Sequence, residues 1–305
     1  SRTRNVVRNP SLSIAYKRPQ ITPLRLDRPL WLACITAFAL RVTQGDIGMA
    51  EVAPQYLDVD GRPIAVRHRD GAEPGFVWLG GYRSDMKGTK VVALDEWAAR
   101  SGHAFTRHDY SGHGESGGEF AEGTISRWLA ESLAVFRHFT RGRQILVGSS
   151  MGGWIALRMV QELHAAGEGD RLAGLLLIAP APDFTSELVE PKLTKKQRRE
   201  LAEKGWFGEP SQYSDDPYVY TRALFEDGEN NRVLTGLIDT HCPVHILQGM
   251  QDPDVPYSHA LRLVEHLPAD DVMLSLIRDG DHRLSRPQDI AMLIRAAEGL
   301  VQLAG

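Results

Sequence analysis

The chain has 305 residues, 42% hydrophobic and 24% charged, a mix that suits one large α/β domain or two smaller ones and needs neither disulfide nor metal to hold its core. A formal net charge of −4 excludes a global field that would draw in nucleic acid or an anionic membrane surface. The two cysteines, Cys34 and Cys242, are far apart and show no Cys/His ligand spacing, which argues against a zinc site or a disulfide framework and fits a reducing compartment.

Residues 1–48 differ from the rest. Arg2, Arg4, Arg8, Lys17, Arg18, Arg25 and Arg28 occur there with almost no acids, followed by the apolar run PLWLACITAFAL. That run is about a dozen residues, too short to span a bilayer, so no integral membrane span is expected. A basic stretch before a short apolar run has the form of a signal or transit segment, which would make the protein exported or mitochondrial. No small-x-small cleavage site follows. The plainer expectation is an over-long reading frame ahead of Met49 and a cytoplasmic protein. Residues 1–48 are therefore set apart as an uncertain extension, and residues 49–305 carry the domain.

From Tyr56 the pattern becomes regular. YLDVDGRPIAVRH holds two short strands around the turn signal Asp60-Gly61, a hairpin. GFVWLGGY is a short buried strand ending in two glycines. KVVALDEWAARSG places Val91, Leu94, Trp97 and Ala98 at helical spacing, with Gly102 suited to close the helix. AFTRHD is a strand, and TISRWLAESLAVFRHFT an amphipathic helix opened by Thr124. QILVGS and LAGLLLIAPA are strands flanking the helix GGWIALRMVQELHAAG. VHILQG, YSHALRLVEHL, VMLSLIRDG and QDIAMLIRAAEGLVQL continue the alternation. Strand and helix taking turns predicts a doubly wound, mostly parallel sheet with the opening hairpin as an antiparallel edge. Residues from about 183 to 240 interrupt this with no convincing strand. They carry the charged run KLTKKQRRELAEKG and the aromatics Trp206, Phe207, Tyr213, Tyr218, Tyr220 and Phe225. An insertion of that length predicts a small helical lid, whose aromatics either line an acyl pocket or form the lid's own core. Lys195, Lys196, Arg198 and Arg199 read as a solvated helix face.

The chemistry centres on Gly148-Ser149-Ser150-Met151-Gly152, between a strand and a helix. In a G-x-S-x-G nucleophile elbow the central serine takes a strained backbone, and a Cβ two residues away on either side would collide with its neighbours. Only the register of Ser150 places glycine on both sides; Ser149 has Met151 two residues later. A nucleophilic serine needs a base and the base an orienting acid, which in this arrangement follow in the order Ser, Asp or Glu, His. Asp252 lies just past the strand VHILQG, and His282 past the next strand, at the carboxyl ends where open α/β sheets carry their sites. Asp254 competes for the acid's place but is expected to cap the helix near Tyr257, and Asp281 to point away from the ring beside it. Two backbone N–H groups are needed for the oxyanion, and Met151 and Tyr82 are the candidates, with Gly80 and Gly81 allowing close approach. Gly112-x-Gly114-x-x-Gly117 is formally a dinucleotide fingerprint. No helix opens from it and the expected acid is missing, so it reads as a structural loop, with His108 and His113 as loop hydrogen-bonders. No organic cofactor and no metal are called for.

With GYRSDMKGTK, DYSGHGES, QILVGSSMGGW, the lid phrase KGWFGEPSQYS, LQGMQDPDVP and DGDHR in view, the chain from about Tyr56 to Val301 resembles the serine hydrolases of the α/β-hydrolase superfamily. Within it the likeness is to a branch of palmitoyl-protein thioesterases that also act on acyl glucuronides. The resemblance implies an α/β-hydrolase fold with a lid, and Ser150, Asp252 and His282 as nucleophile, acid and base. The activity it implies is hydrolysis of a small acyl ester or thioester, or of an S-acylated protein. A serine aminopeptidase or C–C bond hydrolase on the same triad is the rival enzyme reading. The aminopeptidase is disfavoured because the lid sequence shows no acidic pair to hold a substrate amine. Dehalogenases and epoxide hydrolases carry Asp at the elbow where this chain has Ser150. A non-catalytic ligand receptor is the rival of another class, disfavoured because all three triad candidates are present.

Overall fold

The computed structural model describes residues 53–210, 218–268 and 271–304; the expectations for residues 1–48, with Cys34 and Met49, lie outside them, as does Tyr213. The turn at Asp60 and Gly61 folds β1 (Gln55–Val59) antiparallel onto β2 (Arg62–Arg69), with the Gly61 N–H donating to the Asp58 carboxylate at 3.0 Å. Strands and helices then alternate as β3 (Ala72–Leu79), α1 (Thr89–Ser101), β4 (His103–His108), α2 (Ile125–Phe139), β5 (Gln144–Ser149), α3 (Met151–Ala165) and β6 (Leu172–Ile178). An insertion follows that carries α4 (Lys195–Lys204), β7 (Trp206–Glu209), β8 (Tyr218–Thr221) and α5 (Arg222–Asn230). The chain returns through β9 (Val244–Gly249), α6 (Tyr257–Glu265), β10 (Val272–Ile277) and α7 (Pro287–Ala304). Eight strands form one sheet in the order β1-β2-β4-β3-β5-β6-β9-β10, parallel from β4 to β10, with the hairpin as the antiparallel edge.

The alternation of side chains along β3 shows why both faces need cover. Phe76 and Trp78 join a core with Val91 and Leu94 of α1 and Leu293 and Ala297 of α7. Val77 and Leu79 point the other way, into a core with Trp128 of α2 and Trp154 and Ile155 of α3. Residues two apart share a face, so a strand buried on both sides must be apolar throughout. The Thr124 hydroxyl accepts from the Arg127 N–H at 3.2 Å and starts α2, as its sequence suggests. The adjacent strands β3 and β5 are followed by α1 and α3, which pack on opposite faces of the sheet, so the connections leaving the two strands part in opposite directions. That divergence opens a crevice at the carboxyl ends of the strands. No helix among the described residues is long and apolar enough to cross a membrane.

The insertion corrects the expectation of a purely helical lid. β7 and β8 pair antiparallel, with Phe207 opposite Tyr220 and the two rings stacked at 5.3 Å. Each strand has four residues, too short to show an alternation in sequence, and aromatic and β-branched residues at Trp206-Phe207 and Tyr218-Val219-Tyr220-Thr221 favour pairing. The run Lys195, Lys196, Arg198 and Arg199 lies on α4 and is exposed, as expected of a solvated face. Buried Asp183 ties the two ends of the insertion together. Its carboxylate accepts from the Val233 and Leu234 N–H groups, both at 2.9 Å, and has the Arg232 guanidinium at 3.8 Å. Replacing Asp183 by Ala would leave two buried N–H groups unpaired, at about 1–3 kcal/mol each. Thermal unfolding of Asp183→Ala is therefore expected well below the wild type, with faster proteolysis between residues 183 and 240. Asp183→Asn, which keeps one acceptor oxygen, should fall between; an unchanged Tm for the alanine variant would remove the anchor role.

Candidate active site

Ser150 stands between the last residue of β5 and the first of α3, with φ 54° and ψ −117°. A non-glycine residue there costs about 1–3 kcal/mol and persists only where its surroundings fix it. The fixing contacts are explicit. The Ser150 N–H donates to the Ile178 carbonyl at 2.9 Å, and its carbonyl accepts from Gly153 at 2.9 Å and Ala181 at 3.0 Å. A Cβ at Gly148 would overlap the Gly152 carbonyl, and one at Gly152 would overlap the Leu79 carbonyl. The glycine register read from sequence thus corresponds to two places where backbones touch. Ser149 is buried and paired with Ile178 in the sheet.

The two partners expected for Ser150 converge on it. Asp252 follows β9 with a fully buried carboxylate, and His282 follows β10. His282 Nδ1 lies 2.8 Å from Asp252 Oδ2, and its Nε2 lies 3.1 Å from Ser150 Oγ. Since the carboxylate can only accept, Nδ1 carries the hydrogen and Nε2 is left to accept from the serine hydroxyl. Asp252 Oδ1 in turn accepts the N–H groups of Asp254 at 2.9 Å and Val255 at 2.8 Å. Asp254 therefore serves Asp252 through its backbone and does not cap α6, whose N-cap position is Pro256, with no side-chain cap. The expectation that Asp254 caps this helix fails because the chain turns back onto Asp252 first. Asp281 accepts from the Leu284 N–H at 3.0 Å.

Gln248 is a residue that sequence reasoning missed. Wholly buried in β9, it donates Nε2–H to Asp252 Oδ2 at 3.2 Å and to the carbonyls of Gly249 and Val255, both at 3.0 Å. The available signal was a polar side chain on an otherwise apolar buried strand, two residues before the site loop. Asp252, Asp254 and His282 also form the one cluster of metal-ligating groups among the described residues, with ligand atoms within 4.8 Å of one another. Both His282 nitrogens and both Asp252 oxygens already have hydrogen-bond partners, so a cation would have to break that series. Cys242 is half-buried, and burial pushes its thiol up to about 12, away from nucleophilic use.

The loop after β3 passes directly beside Ser150: a Cβ built on Gly81 would lie 3.4 Å from Ser150 Cβ. Met151 begins α3 directly after Ser150, and the first N–H groups of a helix have no intrahelical acceptor. Tyr82 does more than its backbone suggests. Its ring stacks on Tyr220 at 5.4 Å and 8°, packs edge-on to Phe120 at 4.9 Å, and its hydroxyl donates to the Val219 carbonyl. Burial raises the Tyr82 phenol well above its usual range. The loop is held from behind by His113. The Arg83 N–H donates to His113 Nε2 at 3.2 Å, and His113 Nδ1 donates to the Ser111 carbonyl at 3.2 Å. The fingerprint glycines Gly112 and Gly114 sit at φ 74° and 46°, where Cβ atoms would collide with Phe120 backbone and the Asp109 carboxylate. They shape this support.

Between Ser150, His282 and the lid lies a cavity of about 260 Å³ whose apolar lining includes Met151, Ala181, Phe184, Leu188, Val189 and Val255. Tyr82, Tyr218 and Tyr220 add aromatic walls, and Glu209, Asp254 and Lys192 are its charged members. The lid aromatics divide between the two expected uses. Tyr218 and Tyr220 face the cavity, Phe207 and Phe225 pack behind Tyr220, and Trp206 is exposed.

A family model described as "Alpha/beta hydrolase family" matches residues 74–293. Palmitoyl-protein thioesterase ABHD10, mitochondrial, of Mus musculus is 36% identical over 242 residues, covering 78% of this chain and 78% of that protein. The solved structure of alpha/beta hydrolase domain-containing protein 10 from mouse matches with a TM-score of 0.73 at 32% identity, covering 83% of this chain and 100% of the other. A solved chain from Agrobacterium vitis S4 is 60% identical, with a TM-score of 0.78, over 81% of this chain and 97% of its own.

The support behind the site has a pH signature. Burial lowers both His113 and His108 from 6.5 to about 4; in addition, His113 lowers His108, and Arg83 lowers His113 against the raising effect of its bond to Ser111. Below pH 6.5 the unfolded chain protonates both imidazoles while the folded protein keeps them neutral. Their stabilisation is therefore complete above pH 6.5 and lost as pH falls to about 4, with a slope of up to about 2.7 kcal/mol per pH unit for two protons. His245 and His259, also lowered by burial, act in the same sense. Asp109, raised by burial, opposes it. Denaturant unfolding between pH 7 and 4 should show this fall, and His113→Gln should flatten it. A slope unchanged by that substitution would show that His113 protonates freely in the folded protein.

Proposed function

The chain belongs to the alpha/beta hydrolase family, and from that premise we propose that it is a serine hydrolase that cleaves acyl esters or thioesters through Ser150, His282 and Asp252. The observation that carries this reading is the hydrogen-bonded series from Ser150 Oγ through His282 to Asp252, at 3.1 and 2.8 Å, on a strained serine that borders an apolar cavity. The thioesterase names of the relatives support a thioester as one substrate class.

In this mechanism His282 Nε2 takes the Ser150 proton as Oγ attacks the acyl carbonyl, while Asp252 holds the ring in the required tautomer and stabilises the imidazolium. The Tyr82 and Met151 N–H groups receive the developing oxyanion. His282 then protonates the departing oxygen or sulfur, the acyl–Ser150 ester remains, and water activated by the same ring releases the acid. The acyl portion occupies the cavity beneath the lid, against Phe184, Leu188 and Val189. At about 260 Å³ this cavity falls just below the usual range of ligand pockets, roughly 300–1,000 Å³, which favours short or medium acyl chains over long ones.

One observation keeps a second reading in play. Glu209 and Asp254 do form a pair of carboxylates on the cavity lining, one from the lid and one from the loop after β9, a pairing hidden in the sequence by its separation. They suit a substrate amine, as an aminopeptidase requires. Lys192 on the same lining offsets one of those charges, and Glu209 is already bonded to Gln197 at 2.7 Å, which leaves the ester reading ahead.

The test is direct. Ser150→Ala should abolish turnover of p-nitrophenyl butyrate and octanoyl thioesters and labelling by a fluorophosphonate probe. Asp252→Asn should lower kcat on the order of 10⁴-fold with the fold intact. Normal turnover by Ser150→Ala would sink the mechanism, and aminoacyl arylamides cleaved faster than every ester and thioester would move the assignment to the aminopeptidase.

A further inference from the structure

Along β9 the side chains are apolar or half-buried until Gln248, a wholly buried amide one residue before the strand ends. It shares its face of the sheet with Ile246, in the core that also holds Val255, Ala260 and Leu263. Burying an amide among such neighbours costs free energy unless both its ends are partnered. Here only one end is. Nε2 donates to the Gly249 and Val255 carbonyls, both at 3.0 Å, and to Asp252 Oδ2 at 3.2 Å. Oε1 has no hydrogen-bond partner among the described residues. The environment fixes this orientation, because the flipped amide would set its oxygen against three oxygens that only accept. Methionine would fill the same length without stranding an oxygen, so the donor end is what glutamine contributes.

The three acceptors belong to one turn. Gly249 and Val255 stand at its ends and Asp252 in its middle, and one side chain from the preceding strand pins all of them. Asp252 Oδ1 accepts from the Asp254 and Val255 N–H groups at 2.9 and 2.8 Å, and Oδ2 from His282 Nδ1 at 2.8 Å and from Gln248. Four donors thus meet the roughly four acceptor positions of one carboxylate. The two amides on Oδ1 leave the other oxygen able to swing about that anchor. Gln248 removes this freedom without help from His282, so the ring meets an acceptor already in place. A group placed before the reaction acts without a cost of reorganisation. The same turn supplies Pro253, Asp254 and Val255 to the lid cavity, so the pin also sets the pocket wall relative to the acid.

We propose that Gln248 is a positioning residue of the triad, which pins the turn 249–255 and aims Asp252 Oδ2 at His282 Nδ1. This inference rests on the serine-hydrolase reading and adds to it the group that holds the acid. No proton passes through Gln248. It acts when the ring becomes an imidazolium, in acylation and again in deacylation. Both half-reactions therefore slow when its donor is lost.

Two variants separate positioning from packing. Gln248→Met keeps the length and removes the donor. Gln248→Glu, when ionised, sets a further acceptor against Asp252 and both carbonyls; when protonated it regains one donor. The final extent of fluorophosphonate labelling counts the competent sites in each protein, and rates are taken per labelled site. For Gln248→Met, kcat on p-nitrophenyl butyrate and the rate of labelling should both fall about tenfold to a hundredfold. For Gln248→Glu, kcat/KM relative to the wild type should rise severalfold between about pH 8 and about pH 5.5, as the introduced carboxyl, raised by burial, gains its proton. Asp252 and His282 titrate in both proteins, so the ratio isolates position 248. Wild-type rates per site in Gln248→Met overturn the proposal. So does an equal loss in both variants at every pH, which altered packing alone would give. A wild type without Ser150-dependent hydrolysis or labelling overturns the serine-hydrolase reading itself, and Gln248 then has no triad to position.

Discussion

The site depends on one steric constraint, the crossing of β5 and α3 around Ser150 at φ 54°. The strained residue lifts its side chain clear of the sheet only because Gly148, Gly152 and the β3 backbone come closer than any Cβ would permit. Everything else in the site is arranged against that fixed point. β5 must be central, so that β3 can lend its loop on one side and β6 can hold the Ser150 N–H through Ile178 on the other. The next two strands outward, β9 and β10, then deliver Asp252 and His282 from their carboxyl ends. The local strain of about 1–3 kcal/mol is small beside the burial of α3, ten of whose residues are enclosed.

The lid is joined to this centre through Tyr82. Its neighbour Gly81 passes beside Ser150, while the ring and hydroxyl of Tyr82 lie against β8, through Tyr220 and the Val219 carbonyl. The β7–β8 pair and the loop that borders Ser150 are therefore packed together. The far ends of the insertion are fixed independently by Asp183. The insertion is thus tied at its base by Asp183 and held against the loop after β3 by β8.

Much of this was legible in the sequence because it follows from local rules. The alternation of strands and helices, the glycine register around Ser150, and the positions of Asp252 and His282 just past apolar strands all survive in the structure. What was not legible depends on distant residues meeting. The β7–β8 pairing rests on two four-residue runs too short to carry a period. Gln248 acquires meaning only from the turn that returns Val255 to it. Asp254 read as a helix cap because its neighbourhood contains a helix, whereas the chain first closes on Asp252. The carboxylates Glu209 and Asp254 share a cavity across more than forty residues, and no inspection of the lid alone would pair them.

Two histidines in polar loops after strands illustrate how environment divides the same side chain between different jobs. His113 has backbone partners on both sides, an N–H to accept from and a carbonyl to donate to. Neither partner can change its role, and burial adds a large penalty for charge, so His113 remains a neutral fixed spacer. His282 faces a hydroxyl that can give up its proton and a carboxylate that can balance a positive ring. Both of its bonds survive proton transfer with their geometry nearly unchanged, which is what a group that takes and returns a proton requires. Residue type separates neither histidine from the other. The chemical identity of the two partners does, and a strand-end carboxylate thirty residues upstream is the feature that distinguishes His282.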